Sequence, residues 1–264
     1  MRISIREMRD YVKCPLYYKL KHIDELPEDK KIDDYFRDYF KLAMYFFYFS
    51  LIEKKPKSFD LMMKRWGELW FSSEMIELFP EEQLKEKSND AVILMNSFIK
   101  KYGNEPMTPI AVNMQYEAIF EGRENLHVTG EIDLIKVLND RTNRRETILT
   151  KFNMSKTYPD NFLLKNNIEL SISSYAFRSS FKSKEDKLLM HNVRCAEDTP
   201  TLRTGMDYSR AERSIRNICI GIREGVFYPA PSSMNCTNCS YRLFCLNDKS
   251  INMGGEIKCQ TQKI

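Results

Sequence analysis

Apolar residues recur every three to four positions through the first hundred residues of the chain, which is the spacing of one face of an α-helix. Residues 35–47 carry a broad aromatic face of this kind, and residues 61–70 carry a second. A further helix is predicted at 88–101, and it ends before Gly103. The longest apolar run, 42–52, is too short to cross a bilayer, so it is interpreted as a buried helix.

The hydrophobic pattern changes to a period of two beyond Pro109, which is typical of half-buried β-strands. Helical spacing returns later and alternates with one more strand. The predicted strands cover 110–120, 126–138, 146–152 and 187–194, and the predicted helices cover 166–177 and 208–224. This order gives a helical module, then β-β-β-α-β, then a last helix that leads into a cysteine-rich segment.

Composition limits the class of protein. The 264 residues and the 42% hydrophobic content suffice for one large domain or two small ones. The 41 basic and 37 acidic residues leave a formal charge of +4, which permits nucleic-acid binding without requiring it. The charged N-terminus does not resemble a signal peptide. We therefore expect a cytoplasmic protein of a bacterial or virus-infected cell, with reduced cysteines and no membrane association.

Four cysteines near opposite ends of the chain carry the strongest chemical signal. Cys236, Cys239 and Cys245 form a CxxC pair followed six residues later by a third thiol. Such a turn offers three soft ligands and leaves one coordination position for a distant fourth, for which Cys14 is the candidate. Grouped cysteines in a reducing compartment hold metal more often than they form disulfides. One metal centre is therefore predicted to join the two ends of the chain.

Five short motifs are spread along nearly the whole chain. They are Tyr-x-x-Cys-Pro-x-x-Tyr at 11–18, Glu-x-x-Phe at 117–120, Gly-Glu-Ile-Asp-Leu-Ile at 130–135, Tyr-Ala at 175–176 and Gly-Val-Phe-Tyr-Pro at 225–229. Together with the cysteines, they resemble the iron-sulfur branch of the RecB-like PD-(D/E)XK nucleases. That branch includes the AddB nuclease domain and the CRISPR adaptation nucleases. The glycine-aromatic-proline segment followed by the cysteines is the most specific of these motifs.

The resemblance implies an α/β (α+β) fold with a restriction-endonuclease-like core, in which helices flank a central mixed β-sheet. It also implies an N-terminal helical module and an iron-sulfur cluster that joins the N- and C-terminal regions. Within one structural unit, 1–108 would hold the first cysteine and the helical module, 109–229 the nuclease core, and 230–264 the cysteine segment and tail. The four cysteines would ligate a [4Fe–4S] cluster. A structural zinc site is the alternative, because zinc accepts four thiolates equally well.

The same resemblance implies a metal-dependent active site. Nucleases of this fold use two or three carboxylates to hold Mg²⁺ or Mn²⁺ against the scissile phosphate, and a lysine to activate the attacking water. Asp133 stands where the first metal carboxylate is expected. The next strand departs from the pattern, because Thr150 falls at the second carboxylate and Phe152 at the lysine. A shift by one residue restores Lys151 but places Leu149 at the carboxylate.

Two further family positions are altered in this chain. Tyr45 lies where the family has a histidine on an early helix, and Glu169 lies where it has a glutamine. Asp133, Glu117 and Glu169 would form at most a partial divalent-metal site. The residual catalytic residues would be Asp133 and Lys151. We interpret the reaction centre as degenerate; Asp133 could equally serve as a residue that caps a turn.

Basic residues between and after the strands that flank this centre are candidates for contact with a phosphate backbone. Such charges also commonly do no more than solvate a loop. The candidates are Arg141, Arg144, Arg145, Lys151 and Lys156.

The leading hypothesis is a catalytically degenerate nuclease homologue that binds DNA, single- or double-stranded, or serves as a scaffold. It would act in a replication, recombination or transcription complex. One alternative is an active Mg²⁺- or Mn²⁺-dependent DNA exonuclease or endonuclease. Another is a purely structural subunit that binds other proteins. This last alternative predicts no salt-dependent affinity for DNA, whereas the leading hypothesis predicts a steep dependence.

Overall fold

The computed structural model describes residues 1–28, 30–55, 59–103, 107–139, 144–155, 160–237 and 239–247. The chain divides into two compact units. The first, here called the core unit, comprises Met1–Ile5 and Lys31–Arg216. The second, here called the cysteine unit, comprises Arg6–Lys30 and Asn217–Ile264.

The described strands of the core unit form one six-stranded mixed sheet. They are β1 Arg2–Ser4, β2 Met107–Phe120, β3 Leu126–Asn139, β4 Arg145–Asn153, β5 Lys187–Asn192 and β6 Glu197–Thr201. The order is β1-β3-β4-β5-β6, and β2 pairs with β3. β1 is parallel to β3 and β4 is parallel to β5, whereas the other pairs are antiparallel. The predicted central mixed sheet is confirmed. The hydrophobic pattern misses β1 and β6, because strands this short show little alternation.

Helices flank this sheet, as predicted. In chain order, the described helices are α1 Ile5–Lys13, α2 Pro15–Tyr18, α3 Ile32–Ile52, α4 Phe59–Trp70, α5 Ser73–Leu78, α6 Glu81–Tyr102, α7 Asn161–Lys165, α8 Ile168–Phe181, α9 Gly205–Arg223, α10 Ser233–Cys236 and α11 Arg242–Asn247, with a π-helical segment at Lys19–Ile23 after α2. Of these, α3 to α8 lie wholly within the core unit. No helix within the described ranges combines the length and the apolar character that crossing a membrane requires.

An aromatic core holds α3, α4 and α6 against one face of the sheet. Trp66 and Trp70 are fully buried, and their rings stack with centroids 4.7 Å apart. Phe36 of α3 meets both indoles edge-on. Phe152 of β4 stacks on Tyr48 of α3 at 6.0 Å. Because large buried rings pack at near-crystalline density, this contact fixes α3 over β4.

Helix α8 lies on the other face of the sheet. It packs against β2 and β3, and its Leu170 clusters with Met190 of β5. In the β4–β5 ladder Met190 pairs with Lys151, whereas Phe152 pairs with His191. Since successive strand residues point to opposite faces, Lys151 points toward α8 and Phe152 points toward α3.

The cysteine unit joins an N-terminal and a C-terminal segment of the chain by hydrogen bonds. The backbone amide of Leu16 donates to the carbonyl of Tyr228 at 3.1 Å. The side-chain amide of Asn235 donates to the carbonyl of Lys13 at 2.7 Å. The buried Tyr241 contributes a further link of this kind, since its hydroxyl donates to the carbonyl of residue 26 at 2.9 Å. These bonds bring the first cysteine-bearing segment to the last.

Candidate functional site

The Gly-Glu-Ile-Asp-Leu-Ile motif at 130–135 lies at the centre of the core unit's sheet, where β3 changes from one partner strand to another. β2 follows one edge of β3 along nearly its whole length. On the other edge, β1 pairs with 127–129 and β4 pairs with 134–139. The intervening residues 130–133 therefore lie between two partner strands. Side chains from both faces of the sheet can reach this gap, which ends at Asp133.

Asp133 is fully buried, with 0% of its surface exposed, and its carboxylate is occupied by donors. Lys41 Nζ lies 2.7 Å from Oδ1, and the Tyr45 hydroxyl donates to the same oxygen at 2.5 Å. The backbone amide of Phe152 donates to Oδ2 at 2.8 Å, and Lys151 Nζ lies 3.4 Å from that oxygen. An ionised carboxylate has about four acceptor sites. These donors therefore use essentially its whole capacity.

The two lysines bridge Asp133 to two further carboxylates. Lys41 on α3 also contacts Glu131 of β3, and Lys151 Nζ lies 2.7 Å from Oε1 of Glu169 on α8. Within the described ranges, no three His, Cys, Asp or Glu side chains are grouped closely enough to hold a metal ion. The arrangement does not fit the divalent ion that the resemblance implies, because ammonium groups lie between the carboxylates. We call these five residues the ion cluster.

The charges of the ion cluster fix its protonation. Burial raises the pKa of Asp133, but the ammonium groups of Lys151 and Lys41 outweigh burial and hold that pKa below its ordinary value. Burial also raises the pKa of Glu131, and Lys41 again reverses the effect. Burial lowers the pKa of Lys151, but Asp133 and Glu169 raise it above its ordinary value. The shifted groups are therefore charged at neutral pH.

Beside Asp133 lies a cavity of about 10 Å³, which is roughly the space that one water molecule needs. The hydroxyl of Thr150 is buried and has no hydrogen-bond partner among the described residues. Thr150 also lines the cavity, together with Leu149. At both positions considered for the second metal carboxylate, the site thus presents a group that cannot replace one.

The structure brings together three of the residues predicted for the site: Asp133, Glu169 and Lys151. It does not bring Glu117 to them. Glu117 pairs with β3 four residues before Asp133, and its carboxylate lies 3.5 Å from the guanidinium of Arg2. Glu117 is half-exposed on β2 and forms an ion pair with Arg2 of β1.

The predicted nucleic-acid-binding residues occupy different environments. Arg144 and Arg145 are exposed where β4 begins, and the guanidinium of Arg144 lies 3.1 Å from Asp186. Lys151 belongs to the ion cluster, and only 13% of its side chain is exposed. Outside the described residues lie Arg141 and Lys156.

Two members of the ion cluster are missed by the sequence reasoning. Glu131 precedes Asp133 by two residues, and in a strand that spacing places both side chains on one face. Lys41 precedes Tyr45 by four residues, and in a helix that spacing does the same. The resemblance puts Tyr45 where a histidine is expected, and Tyr45 lies on the face of α3 that meets Asp133. The two spacings could therefore have predicted both Glu131 and Lys41 as members of the site.

The cysteine unit contains all four predicted metal-binding thiols, and they are free. Cys14, Cys239 and Cys245 pack against one small apolar cluster that includes the buried Tyr241. The amide of Ala230 donates to Cys14 Sγ at 3.4 Å, a bond of the kind that stabilises a thiolate. The thiols are not drawn to ligand spacing within the described ranges. Cysteine thiolates are the ligand type that zinc and iron-sulfur centres use, so the metal centre stays a prediction.

Comparison with known proteins identifies a family for this chain. The family model described as the PD-(D/E)XK nuclease superfamily matches residues 2–246. No curated protein matches the sequence. Among solved structures, the chain is similar to one titled "Crystal structure of SSO0001", with 12% identity, a TM-score of 0.33, and coverage of 69% of this chain and 79% of that chain. A likeness of this size carries no argument about the site. The family model spans nearly the whole sequence, and the chain therefore belongs to the PD-(D/E)XK nuclease superfamily.

Proposed function

We propose that this protein is a nucleic-acid-binding member of the superfamily that no longer cleaves its ligand. It belongs, in this proposal, to the RecB-like iron-sulfur branch and serves as a binding or scaffolding component of a replication, recombination or transcription complex. The proposal joins membership of a nuclease superfamily to a site whose Asp133 carboxylate is already occupied by the chain's own donors.

The occupied carboxylate of Asp133 is the observation that carries this proposal. A catalytic metal needs open carboxylate oxygens and room for the phosphate that it activates. In this site the carboxylate accepts from two ammonium groups, a hydroxyl and a backbone amide. The next strand offers the hydroxyl of Thr150 and the side chain of Leu149 in place of a second carboxylate.

Binding would rest on exposed cations, since these bind phosphates without a metal. Arg144 and Arg145 are the described candidates, at the exposed start of β4. Affinity for a DNA oligonucleotide should fall steeply as salt is raised. We expect Arg144→Gln/Arg145→Gln to weaken binding. The slope of log affinity against log salt should fall by about one for each phosphate that the variant no longer binds.

The measurement is fluorescence anisotropy with single- and double-stranded oligonucleotides at stepped salt concentrations. Arg65→Gln is the control, because Arg65 on α4 is a partly exposed arginine that, like Arg144, forms an ion pair, in its case with Glu68 at 3.1 Å. An affinity independent of salt would support the structural-subunit alternative and contradict the proposal. If the control and the double variant change the DNA affinity equally, Arg144 and Arg145 are not part of the DNA interface.

A second candidate function is an active metal-dependent nuclease, and one observation favours it. Asp133, Glu169 and Lys151 converge, and Glu131 adds a third carboxylate to the same site. Substrate and metal would then have to displace the ammonium groups from the carboxylates. This candidate predicts cleavage that requires Mg²⁺ or Mn²⁺ and is abolished by Asp133→Ala.

We also propose a [4Fe–4S] cluster in the cysteine unit, with structural zinc as the alternative. Cys14, Cys236, Cys239 and Cys245 would hold it, and they are the donor set that either centre requires. When bound, the cluster would cross-link the first and last segments of this unit. It supplies no chemistry to the ion cluster in this proposal.

A further inference from the structure

The ion cluster places the chain's own cations where its superfamily places a divalent ion. Lys41 reaches the cluster from α3, and Lys151 reaches it from β4. Three carboxylates surround these two ammonium groups: Asp133, Glu131 and Glu169.

We infer that Lys41 and Lys151 are built-in counter-ions that occupy the cation position of this site and exclude divalent metal from it. This inference deepens the proposed function and rests on its interpretation of the Asp133 site as non-catalytic. It assigns Lys41 a role that neither the family match nor the sequence motifs assign. The site is latent as a metal site, because its carboxylates remain.

Lys41 is the principal counter-ion by geometry. Its ammonium lies 2.7 Å from Asp133 Oδ1, whereas that of Lys151 lies 3.4 Å from Oδ2 and closer to Glu169. Lys41 also contacts Glu131, so it separates two carboxylates of β3. Its Nζ lies 5.3 Å from the ring centroid of Tyr45, one turn along α3, in a cation–π contact that favours this rotamer.

The groups around the ammonium ions suit a hard divalent cation. Mg²⁺ and Mn²⁺ prefer carboxylate and hydroxyl oxygens, and a site commonly contains only one or two carboxylates. Removal of the lysines would free oxygens of Asp133, Glu131 and Glu169. Thr150 also lines the cavity beside Asp133, and its buried hydroxyl has no hydrogen-bond partner among the described residues.

The test is direct Mn²⁺ binding, monitored by electron paramagnetic resonance of the free ion and by the shift in unfolding temperature. The variants are Lys41→Met and Lys41→Met/Lys151→Met, because methionine keeps the apolar stem without the charge. Lys187→Met is the matched control: its ammonium pairs with Glu146 at 2.6 Å, outside the cluster. We expect weak, unsaturated binding by the wild type and the control, and binding roughly tenfold tighter or more by the double variant.

A third substitution tests whether the gain in Mn²⁺ affinity arises at Asp133. Adding Asp133→Asn to the double variant should return Mn²⁺ binding to the wild-type level. The double variant leaves three carboxylates without counter-ions, so it is expected to unfold at a lower temperature and to recover part of the loss in Mn²⁺. If it does not fold without metal, Lys41→Met alone is scored, since it retains Lys151.

Two results would overturn the inference. One is wild-type protein that binds Mn²⁺ as tightly as the double variant. The other is a folded variant that lacks the lysines and gains no binding. Neither result decides whether the wild type cleaves nucleic acid. Cleavage by the wild type would refute the proposed function, whatever the variants bind, so the two failures are distinguishable.

Discussion

Asp133 is the residue on which the chemistry of the core unit depends. A buried carboxylate is costly unless cations and donors surround it, and Lys41, Lys151, Tyr45 and a backbone amide do so here. Removing one partner of a buried pair typically costs about 3–5 kcal/mol, because the other charge is left uncompensated. Replacing one charged residue of the ion cluster is therefore expected to lower the stability of the fold.

The pH dependence of stability follows from the shifted pKa values. The lowered pKa values of Asp133 and Glu131 add stability above their ordinary values of about 4, and this is lost as pH falls through the lower folded values. The raised pKa of Lys151 adds stability below about 10.4, and this is lost as pH rises through its folded value. We expect a plateau between these limits.

Chemical denaturation at stepped pH measures the plateau. Asp133→Asn/Lys151→Met removes one charge of each sign and should flatten both flanks of the profile. The expected change is about 1.4 kcal/mol per pH unit for each proton no longer linked to unfolding. A variant profile parallel to that of the wild type would show that these two groups do not set the pH range.

At the scale of elements, β3 is positioned by a glycine. A Cβ at Gly130 would lie 2.5 Å from the Tyr116 hydroxyl and 2.8 Å from a side-chain carbon of Ile5. The Tyr116 hydroxyl in turn lies 3.4 Å from Ser173 on α8. The close approach of these side chains to the backbone therefore sets the spacing between β3 and α8 beside the ion cluster.

Gly130→Ala should destabilise the chain by about 1–3 kcal/mol through overpacking. Gly67→Ala is the control with the opposite sign, because Gly67 lies inside α4 with nothing within 4 Å of an added Cβ. Alanine there should stabilise by about 0.5–1 kcal/mol through helix propensity. Denaturant midpoints measure both. A Gly130→Ala variant as stable as the wild type would show that Tyr116 can move at little cost.

Strand and helix patterns predict much of this architecture because long elements average over many residues. The pattern predicts α6 from 88, but the helix begins at Glu81, because Leu84 is the one apolar residue of 81–87 and shows no periodicity by itself. The pattern does not predict β1 and β6, because strands of three and five residues show little alternation. The ion cluster is predicted only in part. Lys41 and Lys151 approach from different elements, and only tertiary packing determines which carboxylates they meet.

At the scale of the whole molecule, the proposed metal centre would cross-link the two segments of the cysteine unit. Cys14 lies in its first segment, and the other three lie in its last. A bound metal would stabilise the folded unit, because an unfolded chain lacks the preformed site. The hydrogen bonds between the segments already hold their backbones together.

Protein purified without oxygen should contain iron, or zinc under the alternative. Cys14→Ser and Cys239→Ser should each reduce the bound metal to background and lower the unfolding temperature. Cys195→Ser should change neither, because Cys195 is exposed and lies outside the set. Metal analysis with visible absorption distinguishes iron-sulfur from zinc. Metal-free wild type, or metal retained after Cys14→Ser, would contradict a centre that joins both segments.

A cleavage assay on protein already shown to bind DNA tests most directly whether this nuclease homologue has lost catalysis. Labelled single- and double-stranded DNA are incubated with wild-type protein and Asp133→Ala in Mg²⁺ or Mn²⁺, and intact substrate and products are quantified. For a protein that binds DNA but no longer cleaves it, we expect binding and no cleavage by either protein. Divalent-ion-dependent products from the wild type that disappear in Asp133→Ala would contradict it and establish an active nuclease.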